Sequence, residues 1–207
     1  MARTSLRFAV LGDSLAFGTG AGRPVDALGP RLTRALSDAG FDVDLHVLAV
    51  PGAVSADLAA QVRRATALAP DLAVVVIGAN DLARFVPAEQ ASAALAAAVG
   101  ALRAVGADVV VVPAPDMSMV PFVPPALRPL VRGACAVLQH RQAQVAQDAG
   151  ASVAPVAGEV ARAFVADPAL FSADRFHPSS AGYARIAQAL EPHVLAAARA
   201  RRDDAAA

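Results

Sequence analysis

Near the carboxyl end of the chain, in SADRFHPSSAGY, Asp174 and His177 stand three residues apart; near the other end, in VLGDSLAFGTG, stands Ser14. A serine hydroxyl is unreactive until a base removes its proton. An imidazole can be that base near neutral pH, and a carboxylate can orient the ring. The spacing allows Asp174 and His177 to come from one turn and face the same way. Pro178 biases His177 towards extended backbone, so that the ring is presented from a stiff loop. His46, His140 and His193 have no such company. Each segment alone has a plainer reading: Gly-Asp-Ser as a turn and helix cap, Gly78 to Asp81 as a second turn, DRFHP as a loop closed by capping serines. Together they supply a hydroxyl nucleophile, an imidazole base, a carboxylate, and loops able to donate hydrogen bonds to an oxyanion. Those are the parts of an acyl-transfer site.

Residues so far apart must be brought together by the fold. Short β-branched runs predict strands at RFAVLG (7–12), DVDLHVLAV (42–50), LAVVVIG (72–78), DVVVVPA (108–114) and, more weakly, ASVAPV (151–156). Helix-like stretches lie near 25–39, 55–68, 88–104, 126–149 and 180–200. This alternation predicts an α/β protein, a mostly parallel sheet of about five strands with helices on both faces. The runs at 72–78 and 109–112 are apolar on both sides of the pleat, as central strands are, and Tyr183, Ile186, Leu190 and Val194 give the last helix one buried stripe. In such sheets ligands bind outside the carboxyl ends of the strands. Gly12 to Ser14, Pro51 to Val54 and Gly78 to Asp81 each follow a strand, so three loops are expected to converge on one crevice.

The 207 residues suit a single domain, 1–207, with a frayed, solvated tail from about 199. The 18 basic residues balance 18 acidic ones, and no basic stretch is interleaved with aromatics, so nucleic acid is not an expected partner. All the basic residues are arginines. Without lysine there is no imine chemistry and no P-loop grip on phosphates. The acyl-transfer chemistry requires no metal and no cofactor. The lone Cys135 forms no internal disulfide and reads as a small core residue. The amino-terminal apolar run of about five residues is too short for a cleavable signal, and no stretch approaches the roughly 20 apolar residues of a membrane span. These readings predict a cytoplasmic protein.

GDSLAFG at 12–18, PGAVSADL at 51–58, IGANDL at 77–82 and DRFHPSSAGY at 174–183 resemble, in order, the four signature blocks of the SGNH hydrolases, also called GDSL esterases and lipases. The resemblance runs over nearly the whole chain. It implies a three-layer α/β/α sandwich of flavodoxin-like, SGNH-hydrolase type, with Ser14, Asp174 and His177 catalytic. It further implies an oxyanion hole formed by the Ser14 and Gly52 N–H groups and the Asn80 side-chain amide. The reaction implied is hydrolysis of small to medium acyl esters through an acyl-enzyme. Sugar acetates, lysophospholipids or thioesters would use the same machinery. Family members often carry an asparagine near the start of the second block, where this chain has LAVPG. Asp13 and Asp81 match acidic positions expected to brace the loops.

The segment 113–130, PAPDMSMVPFVPPALRPL, offers Met117, Met119, Phe122 and Val123 as a candidate adaptable wall for an acyl chain. An ordinary loop packed on itself is the alternative. Arg84 and Arg175, beside motif residues, are expected in surface ion pairs. Two non-enzyme readings remain. A ligand-binding module would use GTGAG at 18–22 to cradle phosphate, but that run follows the strand-to-helix turn instead of occupying it. An inactive scaffold would have lost Ser14, Gly52, Asn80 or His177, and all four are present.

Overall fold

The structure, a computed structural model, describes residues 3–204. Five strands, β1 (Thr4–Gly12), β2 (Phe41–Val47), β3 (Leu72–Val76), β4 (Asp108–Val112) and β5 (Ser152–Val153), form one sheet. Their order is β2-β1-β3-β4-β5, and every neighbouring pair is parallel. The helices are α1 (Ser14–Phe17), α2 (Leu28–Asp38), α3 (Leu58–Leu68), α4 (Ala79–Ala83), α5 (Ala88–Ala104), α6 (Arg128–Asp148), α7 (Ala157–Ala166) and α8 (Ser180–Asp204).

Alternation along the strands divides the core into two layers. In β3 every residue is buried. Leu72, Val74 and Val76 join the layer built by α2, α7 and α8, whereas Ala73 and Val75 join the layer of α3, α5 and α6. A strand apolar on both sides of the pleat can only be central, and β3 lies between β1 and β4. The chain leaves β1 towards β2 and returns to β3 on the other side. The connections after β1 and β3 therefore diverge to opposite faces and open a crevice at the carboxyl ends of these two strands.

Several boundaries depart from the sequence expectation. β2 stops at Val47 because it is an edge strand with no outer neighbour to extend the ladder; Leu48 and Val50 still donate N–H bonds to Val10 and Gly12. β5 shrinks to two residues, since Pro155 cannot donate to a ladder. α1 and α4 are too short to show a period in the sequence. α7, for which no helix was anticipated, buries Val160, Ala161 and Phe164.

The expected frayed tail is also corrected. α8 continues to Asp204, and the Arg201 guanidinium lies 3.0 Å from Asp71 Oδ1, 3.4 Å from Asp108 Oδ2 and 2.8 Å from the Gly106 carbonyl. Arg202 sits over the Phe41 ring, 5.5 Å from its centroid. These contacts fasten the helix end to the amino ends of β2, β3 and β4; residues 205–207 lie outside the described residues. Among the described residues no helix is long and apolar enough to cross a membrane.

Candidate active site

β1 ends at Gly12, whose φ is +137° and where a Cβ would come within 1.8 Å of the Val76 carbonyl oxygen. Only glycine lets the two strands stay this close while the chain turns. The buried side chain of Gln61, from α3, grips this point twice: Oε1 accepts the Gly12 N–H and Nε2 donates to the Gly12 carbonyl, both at 2.8 Å. Asp13 then caps α1, its Oδ1 accepting the Leu15 N–H at 2.9 Å. Ser14 is the first residue of that helix, and Gly18 closes it in the left-handed region.

His177 reaches the same point from 163 residues away, with Nε2 3.0 Å from Ser14 Oγ. Its Nδ1 lies 2.7 Å from Asp174 Oδ2. The loop between them is a turn, not a helix, built around Asp174 Oδ1. That oxygen accepts the N–H groups of Phe176 and His177 at 2.9 Å and the Ser172 hydroxyl at 2.7 Å. Phe171 pairs with Pro178 as an antiparallel bridge at the loop's base. The first glycine-rich loop holds this turn from below. A Cβ on Gly20 would meet the Pro178 carbonyl at 2.6 Å and His177 Cβ at 2.9 Å, so GTGAG serves close packing of two loops. Tyr183 donates its hydroxyl to the Thr19 carbonyl at 2.8 Å, and Ser180 Oγ accepts the Gly22 N–H at 3.0 Å.

Two backbone donors in the loops after β1 and β2 have no partner: neither the Ser14 nor the Gly52 N–H donates to a protein acceptor among the described residues. Gly52 has φ +83°. Arg84 Nη2 donates to the Gly52 carbonyl at 2.9 Å, so this arginine braces the loop and forms no ion pair there. Asn80 Nδ2 donates to the Ala53 carbonyl at 2.9 Å, which aims the amide and leaves its second hydrogen free. Asp81, fully buried, accepts both the N–H and the hydroxyl of Ser55, tying α4 to the loop after β2. Asp13 and Asp81 are thus braces.

The electrostatics agree with these roles. Partial burial opposes ionisation of Asp174, but the hydrogen bonds from His177, Phe176 and Ser172 outweigh it and hold the carboxyl well below the usual carboxylate range. An ionised Asp174 accepts from His177 Nδ1–H, which leaves Nε2 as the acceptor facing the Ser14 hydroxyl. Burial pushes Asp13 in the other direction, up to about 6, against the bond from Leu15 N–H and helped by the neighbouring Asp81.

Beside Ser14 and His177 opens a cavity with about 770 Å³ of space between atoms, part of it open to solvent at the mouth. Met117 and Met119 line it, as anticipated, together with Val120. Phe122 and Val123 do not. Phe122 stacks outside on Phe176, with centroids 5.9 Å apart and planes within 10°. The inner wall comes from α7 and α8, through residues that motif reading did not reach: Val160, Ala161, Phe164 and Ile186. For the α7 residues, the spacing of Val160 and Ala161 four and three residues before Phe164 was the available signal.

Residues 10–185 match the GDSL-like lipase/acylhydrolase family. The chain belongs to that family. A GDSL-like esterase of Mycobacterium tuberculosis, Rv1075c, is 35% identical over 185 residues, covering 87% of this chain. The chain spans 59% of the length of that relative. Among solved structures, TesA superposes with a TM-score of 0.72 at 23% identity, covering 90% of this chain and 96% of its own. Axe2, an acetylxylan esterase from Geobacillus stearothermophilus, gives 0.74 at 18% identity, covering 94% and 96%. These neighbours share the GDSL family chain's fold, a parallel sheet flanked by helices.

Proposed function

We propose that this chain hydrolyses carboxylic esters through an acyl-enzyme on Ser14. Ser14 Oγ attacks the ester carbonyl while His177 Nε2 accepts its proton and ionised Asp174 steadies the imidazolium. The carbonyl oxygen gains charge as the tetrahedral intermediate forms, and the Ser14 N–H, the Gly52 N–H and the free Asn80 hydrogen are the donors for it. His177 then gives its proton to the departing alcohol and takes one from water as the hydroxide attacks the acyl-enzyme; returning that proton to Ser14 Oγ releases the acyl group as a carboxylic acid and restores both residues.

The observation that carries this reading is the unbroken line from Asp174 through His177 to Ser14, at 2.7 and 3.0 Å; the Ser14 and Gly52 N–H groups, without a protein acceptor among the described residues, support it. Family membership supports the same chemistry. The reading takes the partner to be a small-molecule ester and the setting to be the cytoplasm. Ser14→Ala is expected to lower the turnover of p-nitrophenyl acetate by about 10⁵- to 10⁶-fold, with an unchanged thermal melt. Full activity in a folded Ser14→Ala variant would reject the reading.

A further inference from the structure

We infer that the cavity between β4, α7 and α8 receives the acyl half of the ester, and that it takes a straight aliphatic chain whose useful length is set by the small side chains of α7. The inference rests on the catalytic reading above and adds the substrate class.

Orientation comes from which residues line the space. Ser14 and His177 are part of its wall, whereas Gly52 and Asn80 are not. The oxyanion therefore points away from the cavity, and one of the two ester substituents must enter it. The alcohol has to leave before water can reach His177, whereas the acyl group stays bonded to Ser14 throughout. A pocket backed by the buried side chains of Val112, Phe164 and Ile186 suits the group that remains. The His177 side chain, 21% exposed, keeps an open flank for alcohol to depart and water to arrive.

Chemistry of the walls selects the chain. Apart from Asp13, Ser14, Asp116 and His177, every lining side chain is apolar. A sugar or charged group placed there would lose its water without gaining partners, which costs far more than burying methylenes. One wall is adaptable, with Met117 and Met119 on a short helical turn. The other is fixed: Ala161 and Phe164 on α7 and Ile186 on α8 belong to the packed core. From Val156 to Phe164, both in the wall, the helical rise amounts to about 12 Å, so the room is bounded. Each methylene that enters is expected to raise kcat/KM about fourfold until the space is filled.

The test is two homologous ester series on the intact protein and two variants. In the first series p-nitrophenyl esters run from acetate to dodecanoate. In the second, alkyl acetates lengthen only the alcohol. Expected results are a rise in kcat/KM from acetate through hexanoate that levels off for longer acyl chains, and a flat alcohol series. Ala161→Phe, which fills the cavity, should cut the hexanoate-to-acetate ratio at least tenfold. Val160→Ala, which enlarges it, should carry the rise to longer chains. Melting curves identify a variant that has failed to fold, and the other then decides. A rise in the alcohol series, a wild-type optimum at acetate, or acyl profiles unmoved in both folded variants would overturn the inference while leaving the nucleophile standing. No hydrolysis of any ester, with Ser14 unreactive, would overturn both.

Discussion

Asp13 neighbours Ser14 and is buried, with its carboxyl pushed up from 3.8 to about 6. Between those values the folded state keeps a proton that the unfolded chain has already lost, so this residue's contribution makes stability fall as pH rises from about 4 to about 6. Asp13→Asn keeps an oxygen for the Leu15 N–H but cannot ionise. Measured by denaturant melts, the stability of the variant relative to wild type is expected to improve by up to about 3 kcal/mol between pH 4 and pH 7. A flat difference would show that the carboxyl does not titrate in this range. Asp174 has the opposite sign: its depressed carboxyl contributes stability above the ordinary carboxylate pKa and loses it on acidification, and because it is common to both proteins it cancels in the difference. Asn80→Ala removes one of the proposed oxyanion donors, and kcat should fall by about 10²- to 10³-fold with little change in KM. At this scale the sequence was most legible where chemistry dictates residue type. Ser14, Asp174 and His177 meet as their types suggest. Met117 and Met119 face the cavity but Phe122 and Val123 do not, because orientation in a proline-rich connection with short helical turns follows no period that a sequence displays.

The elements hold the site through side chains that grip strand ends. Gln61 from α3 satisfies both polar groups of Gly12, and Gln142 from α6 bridges the Ala114 N–H and the Ile77 carbonyl. Gln61→Met preserves the shape and leaves the Gly12 N–H buried without an acceptor. The variant is expected to lose about 1 to 3 kcal/mol of stability, and kcat should fall more than KM rises as the turn carrying Ser14 loosens. Gly20→Ala should lower kcat by displacing the His177 loop, since the added methyl meets backbone that cannot move aside cheaply. The strands were readable because continuous apolar runs have one outcome in a sheet covered on both sides. α1 and α4 were not, having too few residues for a period. α7 lies after the two-residue β5 and Pro155, where strand, loop and helix patterns overlap.

Across the whole molecule the two ends of the sheet do different work. At the amino ends of β3 and β4, Asp71 and Asp108 are held by Arg7, Arg103 and Arg201. Arg201→Ala is expected to lower the melting temperature by about 2 to 4 °C, less at high salt, without altering ester turnover. The carboxyl ends carry the candidate site, and the proposed reading makes Ser14 reactive only because the complete fold delivers His177 to it. Stoichiometric labelling by a serine-directed phosphonate, followed by peptide mass spectrometry, tests that claim most directly. The account predicts one adduct, on Ser14, in the folded wild-type protein, slowed by orders of magnitude in His177→Ala and absent after denaturation. An adduct on another serine, or labelling of Ser14 at the same rate without His177, would contradict it.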